Sequence, residues 1–124
     1  MIKSALFVGL GGFMGSICRF LIVYVVTRWI PGFTSSGTLA VNLLGCFALG
    51  MLVHFSTKLG QDYFLFLTAG FCGGFTTFST FGIENLNLLL NQNYSTALLY
   101  MGGSLLFGIL AAWMGWHFGR LFIA

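Results

Sequence analysis

The chain has 124 residues and a formal net charge of +3; 58% of the residues are apolar and only 6% are charged. That charged share is about a quarter of what a soluble domain carries, and a chain this short cannot hide so much apolar surface from water. A soluble globular domain is therefore excluded, as is a nucleic-acid-binding module, because five scattered basic residues make no patch.

The charges Lys3, Arg19, Arg28, Lys58, Asp62, Glu84 and Arg120 are separated by long uncharged stretches. A bilayer span takes about 20 mainly apolar residues. The pattern predicts an all-α membrane protein, a single integral membrane domain over 1–124. Its four transmembrane helices are placed at about 4–26, 37–56, 62–89 and 95–118. The apolar runs are continuous rather than alternating in ten-residue strands, so a β-barrel is not expected.

In the first span Gly11 and Gly15 stand four apart, a spacing that lets helices approach closely in lipid. Arg19 comes late in the run and three more spans follow, so this segment is read as a span and not as a cleavable signal. Arg19 can snorkel, pair with an acid or cap a loop carbonyl. Pro31-Gly32 and Thr34-Ser35-Ser36-Gly37 then mark a true break.

The second span contains GTLAVNLLGCFALG, residues 37–50. Its Asn42 must find a partner or line a wet cavity, so it is either glue between helices or part of a site.

The third span carries GFCGGFTTFSTFG at 70–82. Gly73-Gly74 weakens the helix, and Thr76-Thr77 adds branching and competing hydroxyls. A helix break is expected near 73–78. Freed backbone groups survive in a membrane only if buried in protein or lining a polar cavity. Freed carbonyls suit a small cation; freed amides and helix N-termini suit an anion. The hydroxyls of Thr76, Thr77, Ser79 and Thr80 are further donors. Phe78 and Phe81 share a helical face, either as ordinary apolar filling or with their electropositive ring edges toward an anion. Gly70 and Gly74 repeat the close-packing spacing. Glu84 can pair with Arg19 or Arg28, or face headgroups.

In the last span Tyr100, Ser104 and Gly108 lie on one face; Ser104 can also bond its own helix. Gly115 and Gly119 again stand four apart. Cys18, Cys46 and Cys72 each fall inside a span, with no spacing for a disulfide framework or a metal site, and read as buried thiols.

Four spans put both termini and the second loop on one side. That side holds Lys3, Lys58 and Arg120, against Arg28 and a snorkelling Arg19 on the other. So small a bias fits either a weakly fixed orientation or insertion both ways round.

Taken together, GGFMGSICRF at 11–20, GTLAVNLLGCFALG at 37–50 and GFCGGFTTFSTFG at 70–82 resemble the small bacterial fluoride channel family, Fluc, also called CrcB. The resemblance covers nearly the whole chain, and the third block is close to a signature. It implies a multi-pass protein of the bacterial cytoplasmic membrane, not an enzyme. The expected assembly is an antiparallel dual-topology homodimer of four-helix copies with the third helix broken mid-membrane. The expected function is passive, selective export of cytoplasmic fluoride down its electrochemical gradient, lowering fluoride toxicity. Neither nucleotide nor nucleic acid is an expected partner.

By the same resemblance Phe78 and Phe81 line the pores with ring edges, and Asn42 hydrogen-bonds near the pathway. Thr77, Ser79 and Thr80 match the hydroxyl-bearing stretch, and Tyr100 and Ser104 match the polar track. Arg19 and Glu84 match vestibule or structural positions. A structural sodium ion (Na+) is expected at the dimer centre, held by the backbone carbonyls of Gly73 and Thr76. The last helix departs from the family pattern: an asparagine and a glycine-serine pair are often found there, and here the run is GGSLLFGIL.

Three rivals have distinct signatures. A proton-coupled fluoride carrier needs a titratable group in the path, and Glu84 is the candidate. A small multidrug transporter needs a membrane-embedded acid, which spans one, two and four lack. A structural membrane subunit packed through its glycines would pass no ion.

Overall fold

The structure, a computed structural model, describes residues 1–123. Ala124, the last residue of the expected domain, lies outside the described residues. Helix α1 spans Ile2–Trp29 and α2 spans Ser36–Leu52. Helix α3 covers residues 61–75, α4 is Phe78–Leu90 and α5 is Tyr94–Leu121. Four helical segments are long and apolar enough to cross a membrane: α1, Ser36–Phe55, the combined α3–α4 segment Gln61–Leu90, and α5. At 1.5 Å per residue, a 28-residue helix such as α1 or α5 reaches about 42 Å, beyond the roughly 30 Å hydrocarbon core.

Local chemistry sets the ends. Helix α1 stops at Trp29 because Pro31 disfavours the helical conformation at Ile30, which turns to φ −123°, ψ 70°. Helix α2 closes through a tight turn, Val53–Phe55. Between α4 and α5 the chain reverses at Gln92, whose φ of 58° is left-handed.

The bundle is two close pairs, α1 with α3 and α2 with α5. Each is built on glycine. A Cβ on Gly15 would stand 2.9 Å from the Phe75 backbone nitrogen, and one on Gly70 would stand 3.0 Å from the Gly11 Cα. In the second pair, Gly50 faces the Ala112 backbone, Gly115 the Phe47 backbone and Gly119 the Met51 backbone. Without a hydrophobic driving force inside lipid, backbone proximity and dispersion hold such helices together. At one end Lys3 pairs with Asp62 at 2.9 Å, and the Ser4 hydroxyl donates to the same carboxylate at 2.8 Å, tying the starts of α1 and α3.

The third span is not a regular helix. After Gln61–Leu65 it widens into a π-helical stretch, Phe66–Cys72, and regains α geometry at Gly73–Phe75. Thr76 (φ −90°, ψ 160°) and Thr77 (φ −150°, ψ 117°) are then fully extended. The span is interrupted mid-membrane, at the two threonines rather than at the glycines before them.

Candidate functional site at the helix break

The break is held by two neighbouring side chains and by one of its own. Asn42, half-buried on α2, reads both backbone groups of Thr77. Its Oδ1 accepts from the Thr77 N–H at 2.8 Å, and its Nδ2 donates to the Thr77 carbonyl at 3.1 Å. Arg19 on α1 donates to the Thr76 carbonyl at 3.4 Å. The Thr77 hydroxyl caps α4, accepting from the Thr80 N–H at 3.2 Å. An extended pair of residues in a membrane must have its backbone groups satisfied, and Asn42 and Arg19 do it together with the Cys72 carbonyl, which accepts from the Thr76 N–H at 3.0 Å.

The hydroxyls divide into two sets. Thr76 turns its hydroxyl back to the Cys72 carbonyl at 2.9 Å. Thr77 instead donates to the Thr80 hydroxyl at 3.0 Å and lies 3.4 Å from that of Ser79. Ser79 and Thr80 are exposed on the chain surface. Phe78 is 84% exposed, with only a tilted contact to Phe81 at 5.8 Å. Phe81 is edge-on to the Tyr100 ring at 5.1 Å.

Behind these rings lies a second polar cluster. Glu84 accepts from the Thr38 hydroxyl at 2.8 Å and from the Tyr100 hydroxyl at 2.7 Å. Its partners are therefore hydroxyls, where the charge pattern had pointed to Arg19, Arg28 or headgroups. Tyr100 is only 4% exposed, and its ring also packs edge-on against Phe33 at 5.4 Å.

An open groove of about 820 Å³ runs along the break. Of the residues singled out in the sequence, Asn42, Gly73, Thr76, Thr77, Phe78, Phe81 and Ser104 line it. Ser104 brings a buried hydroxyl oxygen that has no hydrogen-bond partner. Arg19, Ser79, Thr80, Glu84 and Tyr100 do not line it. The Arg19 bond to Thr76 and the Thr77 hydroxyl contacts connect three of them to its wall. Sequence reasoning did not place Gly45, Cys46, Leu49, Thr68, Ala69, Cys72, Met101 or Leu105 at the site, and these complete the lining. It also missed Thr38 as a partner of Glu84; its place in the 37–50 block, four residues before Asn42, was the available signal.

The expected sodium ion is corrected. Among the described residues no group of three or more His, Cys, Asp or Glu side chains could hold a metal ion. The Thr76 carbonyl, one of the two expected ligands with that of Gly73, faces the Arg19 guanidinium instead. A fixed positive charge against that oxygen repels a second cation.

Comparison with known proteins agrees with this architecture. The family model described as "CrcB-like protein, Camphor Resistance (CrcB)" matches residues 6–116. A "Fluoride-specific ion channel FluC" of Azobacteroides pseudotrichonymphae is 39% identical over 125 residues, covering 98% of this chain and 100% of the relative. A protein of the same name from Gloeobacter violaceus is 45% identical, covering 94% and 95% of the two chains. Another from Campylobacter jejuni is 41% identical, covering 93% and 96%.

Proposed function

The chain belongs to the CrcB/FluC fluoride channel family, and on that premise we propose that it is a passive, fluoride-selective channel of the inner membrane. It lets cytoplasmic fluoride run out down its electrochemical gradient and so lowers fluoride toxicity. The observation that carries this reading is the groove at the helix break. Two phenylalanine rings, hydroxyls and one amide line it, and among its described lining residues none is Asp or Glu.

Fluoride is small and strongly hydrated, so stripping its shell demands dense, small donors. In this reading the unpartnered Ser104 hydroxyl is one such donor, and Thr77, Ser79 and Thr80 extend the donor track. Asn42 lines the groove and shapes its wall by holding Thr77, and its Nδ2 has a second hydrogen not committed to that bond. The edges of Phe78 and Phe81 attract the anion weakly, which permits release. Tyr100 and Glu84 brace Phe81 from behind, and Arg19 holds the entrance side of the break. Chloride is larger and fits this path poorly.

The working unit in this reading is an antiparallel, dual-topology homodimer of single membrane domains. Exposed Phe78, Ser79, Thr80 and Gly73 sit beside the break with nothing of their own chain over them. Hydroxyls at that depth call for protein or a polar cavity rather than lipid, and a second copy supplies both. A proton-coupled carrier is less well supported, because Glu84 lies outside the groove and is engaged by two hydroxyls.

The test is efflux from liposomes loaded with fluoride or with chloride, with valinomycin and a potassium gradient to relieve charge build-up. Fast fluoride efflux, negligible chloride efflux and no need for a proton gradient are expected. No efflux of either ion from folded, dimeric protein would leave the structural-subunit reading. A reporter fused to the C-terminus and found on both sides of the membrane tests the dual topology; a one-sided reporter refutes it.

A further inference from the structure

The end of the bundle opposite the α1–α2 loop carries a cationic, aromatic cluster that the groove does not use. His54, in the turn that closes α2, donates through Nε2 to the Trp116 carbonyl of α5 at 2.9 Å, and its ring lies 5.1 Å from the Trp116 ring. His117 stands edge-on to Trp113 at 4.4 Å and to Trp116 at 5.0 Å. About one turn on, the Arg120 guanidinium lies 6.0 Å from the Trp116 ring centroid, within reach of a cation–π attraction. Beside this cluster is an open hollow of about 480 Å³ lined by Met114, His117, Phe118, Arg120 and Leu121. All five are exposed on the chain surface.

The helix rise gives the depth. Asn42 is level with the mid-membrane break, and the stretch from there to His54 climbs about 18 Å. Half of the hydrocarbon core is about 15 Å. Trp116, held by His54, is therefore at headgroup level, where tryptophan belts sit, and Arg120 is at or beyond it. No acid opposes this charge within α5, which carries no Asp or Glu. Asp62, the acid of this end, is taken by Lys3 and Ser4, and Glu84 is bonded to Thr38 toward the other end. Among the described residues no ion pair involves Arg120.

We infer that this hollow binds the phosphodiester headgroup of an anionic phospholipid, with Arg120 and His117 on the phosphate and an acyl chain running inward past Phe118 and Met114. An arginine fork pairs with phosphate oxygens through charge-assisted hydrogen bonds, and the His117 ring N–H adds a second donor. The last carbonyls of a helix disfavour an anion, so the attraction comes from these side chains. Lys58, exposed in the loop after α2, adds positive charge at the same end and favours a lipid of net negative charge over a zwitterionic one. Three of the five lining residues are apolar, and an acyl chain gains from them what a free phosphate does not. The inference requires that the chain span a membrane, not that it conduct an ion.

The experiment titrates purified, delipidated full-length protein in detergent with phosphatidylglycerol or with phosphatidylcholine of the same acyl chains, and reads bound lipid by native mass spectrometry. Wild type is expected to hold phosphatidylglycerol, about one per chain, at least about fivefold more tightly than phosphatidylcholine. Millimolar inorganic phosphate should not displace it. Arg120→Gln should cut that preference about fivefold, and Arg120→Gln with His117→Gln should level the two lipids. Arg28→Gln, at the other end of the bundle, should leave the preference intact. Equal retention of both lipids by wild type overturns the inference, as does a preference that survives in the double variant or falls equally in Arg28→Gln. Displacement by inorganic phosphate replaces the lipid with a bare anion site. A changed oligomeric state of the double variant on size exclusion makes the hollow a contact between copies, and the inference falls with it.

Discussion

The side-chain amide of Asn42 bonds both the N–H and the carbonyl of Thr77, at 2.8 and 3.1 Å, much as a neighbouring β-strand would. One side chain thus satisfies both backbone groups of an extended residue in mid-membrane. Asn42→Asp should be worse than its similar shape suggests, because a carboxylate sets a second oxygen against the Thr77 carbonyl. Leaving a buried backbone group unpaired costs about 1–3 kcal/mol. Both Asn42→Ala and Asn42→Asp should lower the thermal midpoint in detergent and cut fluoride efflux about tenfold or more. Full efflux in Asn42→Asp would show that the clamp is dispensable.

Phe78 and Phe81 should separate function from stability. Phe78 touches little of its own chain, so Phe78→Ala should leave thermal stability of the monomer fold nearly unchanged. Phe81 packs on Tyr100, and its loss should remove an aromatic pair worth about 0.5–1.5 kcal/mol beyond area burial. Both variants should conduct fluoride at least about tenfold more slowly while eluting as dimers on size exclusion. Normal efflux in both would remove them from the pore.

Glu84→Gln tests whether the acid is structural. Thr38 and Tyr100 both donate to the carboxylate, and hydrogen bonds to charged groups contribute about 1.5–3 kcal/mol each. A glutamine keeps one acceptor oxygen and forces one hydroxyl to turn. The variant should melt earlier, and its remaining fluoride efflux should stay independent of an imposed proton gradient, as in wild type. Proton-gradient-dependent efflux that vanishes in Glu84→Gln would instead revive the carrier reading.

Glycine substitutions should sort by what faces them. A Cβ on Gly74 would stand 2.9 Å from the Gly12 Cα, and overpacking of this kind costs about 1–3 kcal/mol. Gly74→Ala should reduce the yield of folded protein and its thermal midpoint. A Cβ on Gly9 meets nothing within 4 Å, so Gly9→Ala should be neutral or slightly stabilising through better helix propensity. Equal behaviour of the two would remove the glycine contacts as the basis of the α1–α3 pair.

What the sequence made legible was local. Gly11 with Gly15 and Gly70 with Gly74 announce close helix approach through spacing alone, and each does face backbone of the other helix: Gly11 meets Gly70, Gly15 the backbone of Phe71 and Phe75, and Gly74 that of Gly12. The Gly-Gly and Thr-Thr pairs announce an interruption, because breakers and branched hydroxyl residues act on their own backbone. Its position at Thr76–Thr77 was less legible, since it depends on Asn42, 35 residues earlier in the chain. Glu84 shows the same limit: charge pattern suggests arginine partners, while tertiary placement delivers Thr38 and Tyr100. The wide turn over Phe66–Cys72 has no strong local signal. The sodium expectation failed for a related reason, because nothing in the order of residues reveals that the Thr76 carbonyl is met by Arg19.

The interruption at Thr76–Thr77 has an electrical consequence. Helix α4 begins at Phe78, and the partial positive charge of its first turn lies inside the membrane rather than at its surface. Near an aqueous surface, dissolved salt would weaken such a field within a Debye length of about 8–10 Å. In the low-dielectric interior no mobile counterions gather to do so. If the break is on the anion path, as proposed, the pull there comes from backbone atoms that cannot be neutralised by protonation, and its strength should hardly change between dilute and concentrated salt.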